Sequence, residues 1–180
     1  TQVYSGSSEA IGKIFKSVKA SNRPLARWAL TAILAAAPKE ATRASRIRQD
    51  IRQIALKFPL DDLVDVPSLT AFKGLEEVYF EDFPATTCAT LAGLNQVRQL
   101  RVQNAPRLTS LTGIESASNL ELLNIQGSPA LIDLAALTKK ASFTRCSQLR
   151  LHLSSHADLT PFLAIPSIHS LSISCDGPLP

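Results

Sequence analysis

The sequence predicts an α/β fold made of repeated strand-and-turn units, preceded by a basic helical region. Three observations carry that prediction. The pattern L-x-x-L-x-L occurs at Leu75–Phe80, Val97–Val102, Leu120–Ile125, Cys146–Leu151 and Ile168–Ile173, with starts 22, 23, 26 and 22 residues apart. The stretches after two of these align without a gap: Pro106-Arg-Leu108-Thr-Ser-Leu111-Thr-Gly-Ile114 and Pro129-Ala-Leu131-Ile-Asp-Leu134-Ala-Ala-Leu137. The charge also changes sign along the chain. Residues 1–58 hold eleven Lys/Arg against three acids, and residues 59–180 hold eight against twelve.

These observations divide the chain into a basic α-helical N-terminal cap at 1–58 and a repeat array at 59–180. A length of 180 residues has room for both. The 45% hydrophobic and 19% charged content fits a folded chain and excludes a largely disordered one.

In the first half, Ile11, Ile14, Phe15 and Val18 recur at helical spacing, with Ser7 or Ser8 placed to cap the start. Ser21 to Pro24 breaks this helix and opens a second, Ala- and Leu-rich one to Ala37, which carries Trp28. Its apolar stretch, Leu25 to Ala37, is too short to span a bilayer and is interrupted by Arg27, so it reads as a buried helix. A third helix is expected from Pro38 to about Phe58, with Ile47, Ile51, Ile54 and Phe58 as its apolar stripe. Lys39, Arg43 and Arg46 line one flank of that helix, and Arg48 and Arg52 the other. The physical role expected of these helices is a cap, because a stacked array exposes apolar core at its ends.

The second half resembles the leucine-rich-repeat superfamily from about Leu60 to Cys175. The period of about 22 is similar to the internalin type. The x-Pro-x-Leu-x-x-Leu turn resembles repeats in plant resistance receptors and in bacterial type III secreted effectors. The resemblance implies an α/β leucine-rich-repeat solenoid of about five repeats with a parallel concave sheet. The sequence departs from the family pattern in two ways. The Asn expected three residues after the last strand Leu is replaced by Phe83, Ala105, Ser128, Ser154 and Asp176, with Asn104 one place early. The spacing before Cys146 is too long, so a bulged convex loop is expected around Lys139 to Thr144. Leu60 to Phe72 reads as an irregular half-repeat joining cap to array. After Cys175 no C-terminal cap is evident, so the array is expected to be truncated there and the native protein to continue.

Side chains alternate across a strand, so residues between the Leu-type positions should face the concave surface. That set is Glu77, Tyr79, Glu81; Gln99, Arg101, Gln103; Leu122, Asn124, Gln126; Gln148, Arg150, His152; and Ser170, Ser172, Ser174. Five strands about 4.8 Å apart give a face roughly 20 Å across. Tyr and Arg combine contact area with directed hydrogen bonds, so Tyr79 and Arg101 are the expected anchors for a partner protein. The competing reading is that Arg101 pairs across the strands with Glu77 or Glu81.

Motifs for chemistry are missing from the sequence. There is no Gly-rich phosphate loop and no H-E-x-x-H, so no catalytic, cofactor or metal residues and no small-molecule substrate are expected. His152 and His169 could be neighbours on adjacent strands. The three cysteines, Cys88, Cys146 and Cys175, form no C-x-x-C, which argues against a disulfide framework or structural zinc site and suits a reducing compartment. Cys146 occupies a core Leu position.

The reading is a protein–protein interaction scaffold and not an enzyme. The resemblance implies a bacterial effector acting in host cytoplasm, with the array recognising a substrate or host target. One alternative is nucleic-acid or anionic-membrane binding through Lys13, Lys16, Lys19, Arg43, Arg46, Arg48 and Arg52. Another is a non-catalytic fragment of an E3-ligase-type or other effector enzyme.

Overall fold

A computed structural model of the chain describes residues 51–58, 66, 68–139 and 143–177. Within them lie six strands: β1 (Gln53–Lys57), β2 (Glu77–Glu81), β3 (Gln99–Gln103), β4 (Leu122–Gln126), β5 (Gln148–Leu153) and β6 (Ser170–Cys175). They form one sheet in the order β1-β2-β3-β4-β5-β6, every neighbouring pair parallel. Short 3-10 turns at Ala89–Leu91, Ile114–Ser116, Ala135–Thr138 and Thr160–Ala164 lie on the returns from β2, β3, β4 and β5. The result is an α/β-type arrangement of parallel strands and short helical returns.

Strands β2 to β6 start the same way, because the same pattern sits at each start. Two successive amides share one carbonyl of the strand before: Glu76 and Glu77 donate to Arg52 O, Arg98 and Gln99 to Glu76 O, and Glu121 and Leu122 to Arg98 O. Ser147 and Gln148 donate to Glu121 O, and His169 and Ser170 to Ser147 O. The Leu-type side chains then turn inward. Val78 and Phe80, Leu100 and Val102, Leu123 and Ile125, and Leu149 and Leu151 are all buried. Leu108, Leu111 and Ile114 of one return and Leu131, Leu134 and Leu137 of the next pack against them in a single core. Cys146 is fully buried among these residues, as its place in the pattern predicts.

The expected third helix is corrected at its end. Residues 53–57 are a strand, with Ile54 and Leu56 inward and Gln53 and Lys57 exposed. The sheet therefore has six described strands and not five, and its first lies before residue 59. Ile51, Ile54 and Phe58 fit a helical stripe, but Ile51-x-x-Ile54-x-Leu56 is also L-x-x-L-x-L, starting 24 residues before Leu75. Leu56 separates the two readings. On a helix it would lie away from the stripe, whereas on a strand it points with Ile54 into the core. The other expected helices, Lys39, Arg43, Arg46 and the rest of the basic face up to Arg48 lie outside the described residues. So does much of the expected half-repeat, although Val66, Leu69 and Phe72 are described and buried. The expected convex bulge falls partly on 140–142, also outside; Phe143, within its expected bounds, is buried.

The missing Asn ladder has a structural replacement. The turn after the strand is made one residue earlier, at Asp82 (φ 58°), Asn104 (φ 55°) and Gly127 (φ 63°). These residue types adopt left-handed backbone most readily. Lateral bonds run backbone to backbone: Phe83 N to Asn104 O at 3.0 Å and Ala105 N to Gly127 O at 2.8 Å. Phe83 and Ala105 are thereby released from a polar task and join the core. Ser128 keeps a polar role, its buried hydroxyl donating to His152 O at 2.6 Å. Asn104 Nδ2 donates to Asp82 Oδ1 at 2.6 Å, which ties two turns together.

A second lateral ladder runs through the returns, where Thr87, Ser110 and Asp133 form parallel bridges. Ser110 Oγ donates to Asp133 Oδ2 at 2.6 Å. These side chains also accept the amide two residues on: Ala89 N bonds Thr87 Oγ1, Thr112 N bonds Ser110 Oγ, and Ala135 N bonds Asp133 Oδ1. This local side-chain-to-backbone bond starts a turn in each return.

Candidate partner-binding face

The residues between the inward positions form the open face of the sheet. The register sets them in three rows across the strands. The first row is Gln53, Glu77, Gln99, Leu122, Gln148 and Ser170. The second is Ala55, Tyr79, Arg101, Asn124, Arg150 and Ser172. The third begins Lys57, Glu81 and Gln103, which pairs with Gln126; on the far side His152 pairs with Ser174. The residues expected on the face from β2 to β6 occupy these rows, the third of which is broken between Gln126 and His152. The sequence reading omitted Gln53, Ala55 and Lys57, and the signal that could have found them is Ile51-x-x-Ile54-x-Leu56.

Among the described residues Arg101 makes no ion pair with Glu77 or Glu81. Its Nη2 donates to Gln99 Oε1 at 3.1 Å on its own strand. Glu81 instead takes an ion pair from Lys57, and Lys57 also lies 3.6 Å from Asp82. The hydrogen bond from Lys57 to Glu81 raises the lysine above its ordinary 10.5. Tyr79 donates its phenol to Gln103 Oε1, on the diagonal of the neighbouring strand. Tyr79 and Arg101 thus lean in opposite directions. Beside the small Ala55 side chain they leave a shallow hollow of about 200 Å³, lined also by Gln53, Glu77 and Gln99.

Towards β5 the face becomes cationic and rich in amides. Among the described residues Arg150 makes no hydrogen bond or ion pair. His152 and His169 are not neighbours, since the register sets His152 opposite Ser174 and His169 precedes β6. His152 Nε2 lies 3.1 Å from Asp176 in ion-pair range, without the alignment of a hydrogen bond. His169 Nδ1 lies 2.7 Å from Ser167 O.

A second hollow of about 180 Å³ lies at the rim where the strands begin. Arg52, Lys73, Arg98 and Arg145 line it, with Glu76 as the one acid. Arg52, read above as part of a helical flank, bonds Glu76 Oε1 at 3.0 Å and Gly74 O at 3.3 Å. Arg145 donates to Asn119 Oδ1 at 2.9 Å.

Among the described residues no three His, Cys, Asp or Glu side chains converge on a point where a metal could sit. Burial pushes the Cys88 thiol up to about 12 and the Cys146 thiol up to about 11, so neither is a thiolate at neutral pH. Among the described residues no helix is long and apolar enough to cross a membrane. No model of a known protein family matches the chain, and no curated protein matches it.

Proposed function

We propose that the chain is a leucine-rich-repeat interaction domain that binds a partner protein across the concave face of its sheet. One observation carries this reading. Parallel sheets are normally covered on both faces, yet here one face is packed on the core and the described residues leave the other open. That open face is polar and half-exposed. It carries Tyr79 and Arg101 beside a hollow, a pairing of residue types common in interface anchors. The repeated L-x-x-L-x-L units and their lateral backbone ladders support the repeat assignment. The turn sequence supports placing the domain in a bacterial secreted effector, where it would select a host target. No catalytic role is assigned to these residues.

The test is capture of host-cell protein on the immobilised chain, compared with the variant Tyr79→Ala/Arg101→Glu. A specific partner retained by the parent and lost by the variant is expected. Both substitutions are on the open face, so the variant should melt at the parent's temperature. Unchanged retention of every captured protein would rule out this face.

A further inference from the structure

The open face from β3 to β5 carries no carboxylate of its own. Its side chains are Gln99, Arg101 and Gln103; Leu122, Asn124 and Gln126; and Gln148, Arg150 and His152. Of the acids in the adjoining segments, Glu77 on β2 lines the hollow beside Arg101 without an ion pair to it, Glu81 pairs with Lys57, and Asp176 sits against His152. Arg101 has only a neutral partner, and Arg150 has none among the described residues. An arginine without a carboxylate presents a planar set of donors with capacity to spare. Between the two arginines, Asn124 Oδ1 is turned away from solvent and has no hydrogen-bond partner among the described residues. It gains one if its amide rotates towards a peptide N–H.

The spacing adds a register. Arg101, Asn124 and Arg150 occupy one row on three successive strands, so the two arginine positions are about 9.6 Å apart at ~4.8 Å per strand. A peptide in polyproline II conformation advances ~3.1 Å per residue with three residues per turn. Side chains three apart therefore share one side and are separated by about 9.3 Å. We infer that the partner docks through an extended acidic segment whose carboxylates, three residues apart, seat on Arg101 and Arg150. This inference rests on the binding-face reading above and narrows it to one partner chemistry.

The experiment uses the full chain and a fluorescently labelled peptide of repeated Glu-Pro-Pro, read by anisotropy. The comparison peptides are repeated Gln-Pro-Pro and a repeated Glu-Pro peptide with the same number of glutamates. Glu-Pro-Pro should bind, Glu-Pro should bind more weakly, and Gln-Pro-Pro should not bind. Arg101→Gln or Arg150→Gln should each weaken the first peptide about fivefold, as expected for exposed charge pairs, and together about twenty-fold. Arg98→Gln/Arg145→Gln at the rim should leave it unchanged. Equal binding of the Glu and Gln repeats, or retained affinity in the double Arg101/Arg150 variant, would overturn the inference. So would tighter binding of an equally charged oligonucleotide with the same arginine dependence. If the peptides fail while Tyr79→Ala/Arg101→Glu still releases a captured partner, only the acidic-segment inference falls. If that variant releases nothing, the binding-face reading falls with it.

Discussion

The two outermost described strands have the same sequence pattern and opposite surroundings. At β1, Ile54 and Leu56 are completely buried. Beneath β1 and β2, Phe58, Phe80 and Phe83 form an aromatic cluster with ring centres 5.2 to 6.4 Å apart. Ion pairs tie the two strands together at both ends, Arg52 with Glu76 and Lys57 with Glu81. At β6 the inward positions are Leu171, 47% exposed, and the half-buried Ile173, while the open face is three serines. On the return before β6, Leu163 is 87% exposed. L-x-x-L-x-L therefore locates a strand without setting what the strand contributes. The contribution follows from the apolar area its neighbours cover, at about 25 cal/mol per Å².

The largest expected effect separates these two ends directly. Phe80 is fully buried and touches both other rings of the cluster. Phe80→Ala should cost about 3–5 kcal/mol, from lost burial plus the cavity left behind. Leu171→Ala occupies the equivalent kind of position at β6 but should cost under about 1 kcal/mol, because nearly half of that side chain is already in water. Urea denaturation with unchanged m-values measures both. Equal losses would mean that β6 is covered in solution.

A smaller contrast separates two glycines. Gly113 has φ 104°, and a Cβ there would lie 2.5 Å from Ala89 Cα and from Cys88 O, both backbone atoms. Gly113→Ala must strain its own backbone and push two turns apart, so a loss of about 1–3 kcal/mol is expected. Gly177, beyond β6, would bring a Cβ only to ordinary contact with Ser155 at 3.6 Å. Gly177→Ala should stay within about 0.5 kcal/mol of the parent. Thermal melts of the two variants side by side give the comparison.

Much of this organisation is legible in the sequence, because alternation across a strand is a backbone property. Val78, Leu100, Leu123 and Leu149 had to point one way once their neighbours pointed the other. The first strand was hidden because an i, i+3 apolar spacing serves both helix and strand, and Leu56 alone decides between them. The turns were hidden because several residue types can supply left-handed backbone: Asp82, Asn104 and Gly127 do the same job with different letters. The pairing of Arg101 with Gln99, and not with an acid, depends on which way a long side chain swings. Spacing along the chain carries no information on that.

The smallest effect lies in the returns and appears only in acid. Asp133 is held below its ordinary 3.8 first by the Ser110 hydroxyl and then by the Ala135 amide. Asp158 is lowered by the Thr160 hydroxyl and amide, at 2.6 and 2.9 Å. A carboxylate whose folded pKa is depressed stabilises the fold at every pH above its unfolded value, and that stability is lost as pH falls through the folded value. Stability should therefore be level from neutral pH down to about 4, as far as these two groups decide it, and fall below that. Both groups are solvent-exposed, so screening keeps each contribution small. Asp133→Asn should flatten part of the acid limb, because the amide no longer titrates, although its single oxygen can accept from either the Ser110 hydroxyl or the Ala135 amide and not from both. The same substitution at Asp158 should act independently, since among the described residues its carboxylate bonds only within its own turn. Urea midpoints of the two variants and their combination, followed from pH 6 to pH 2, measure this (values of about those ends bracket the titration). If the double variant loses as much stability in acid as the parent, the acid sensitivity resides elsewhere than in these turns.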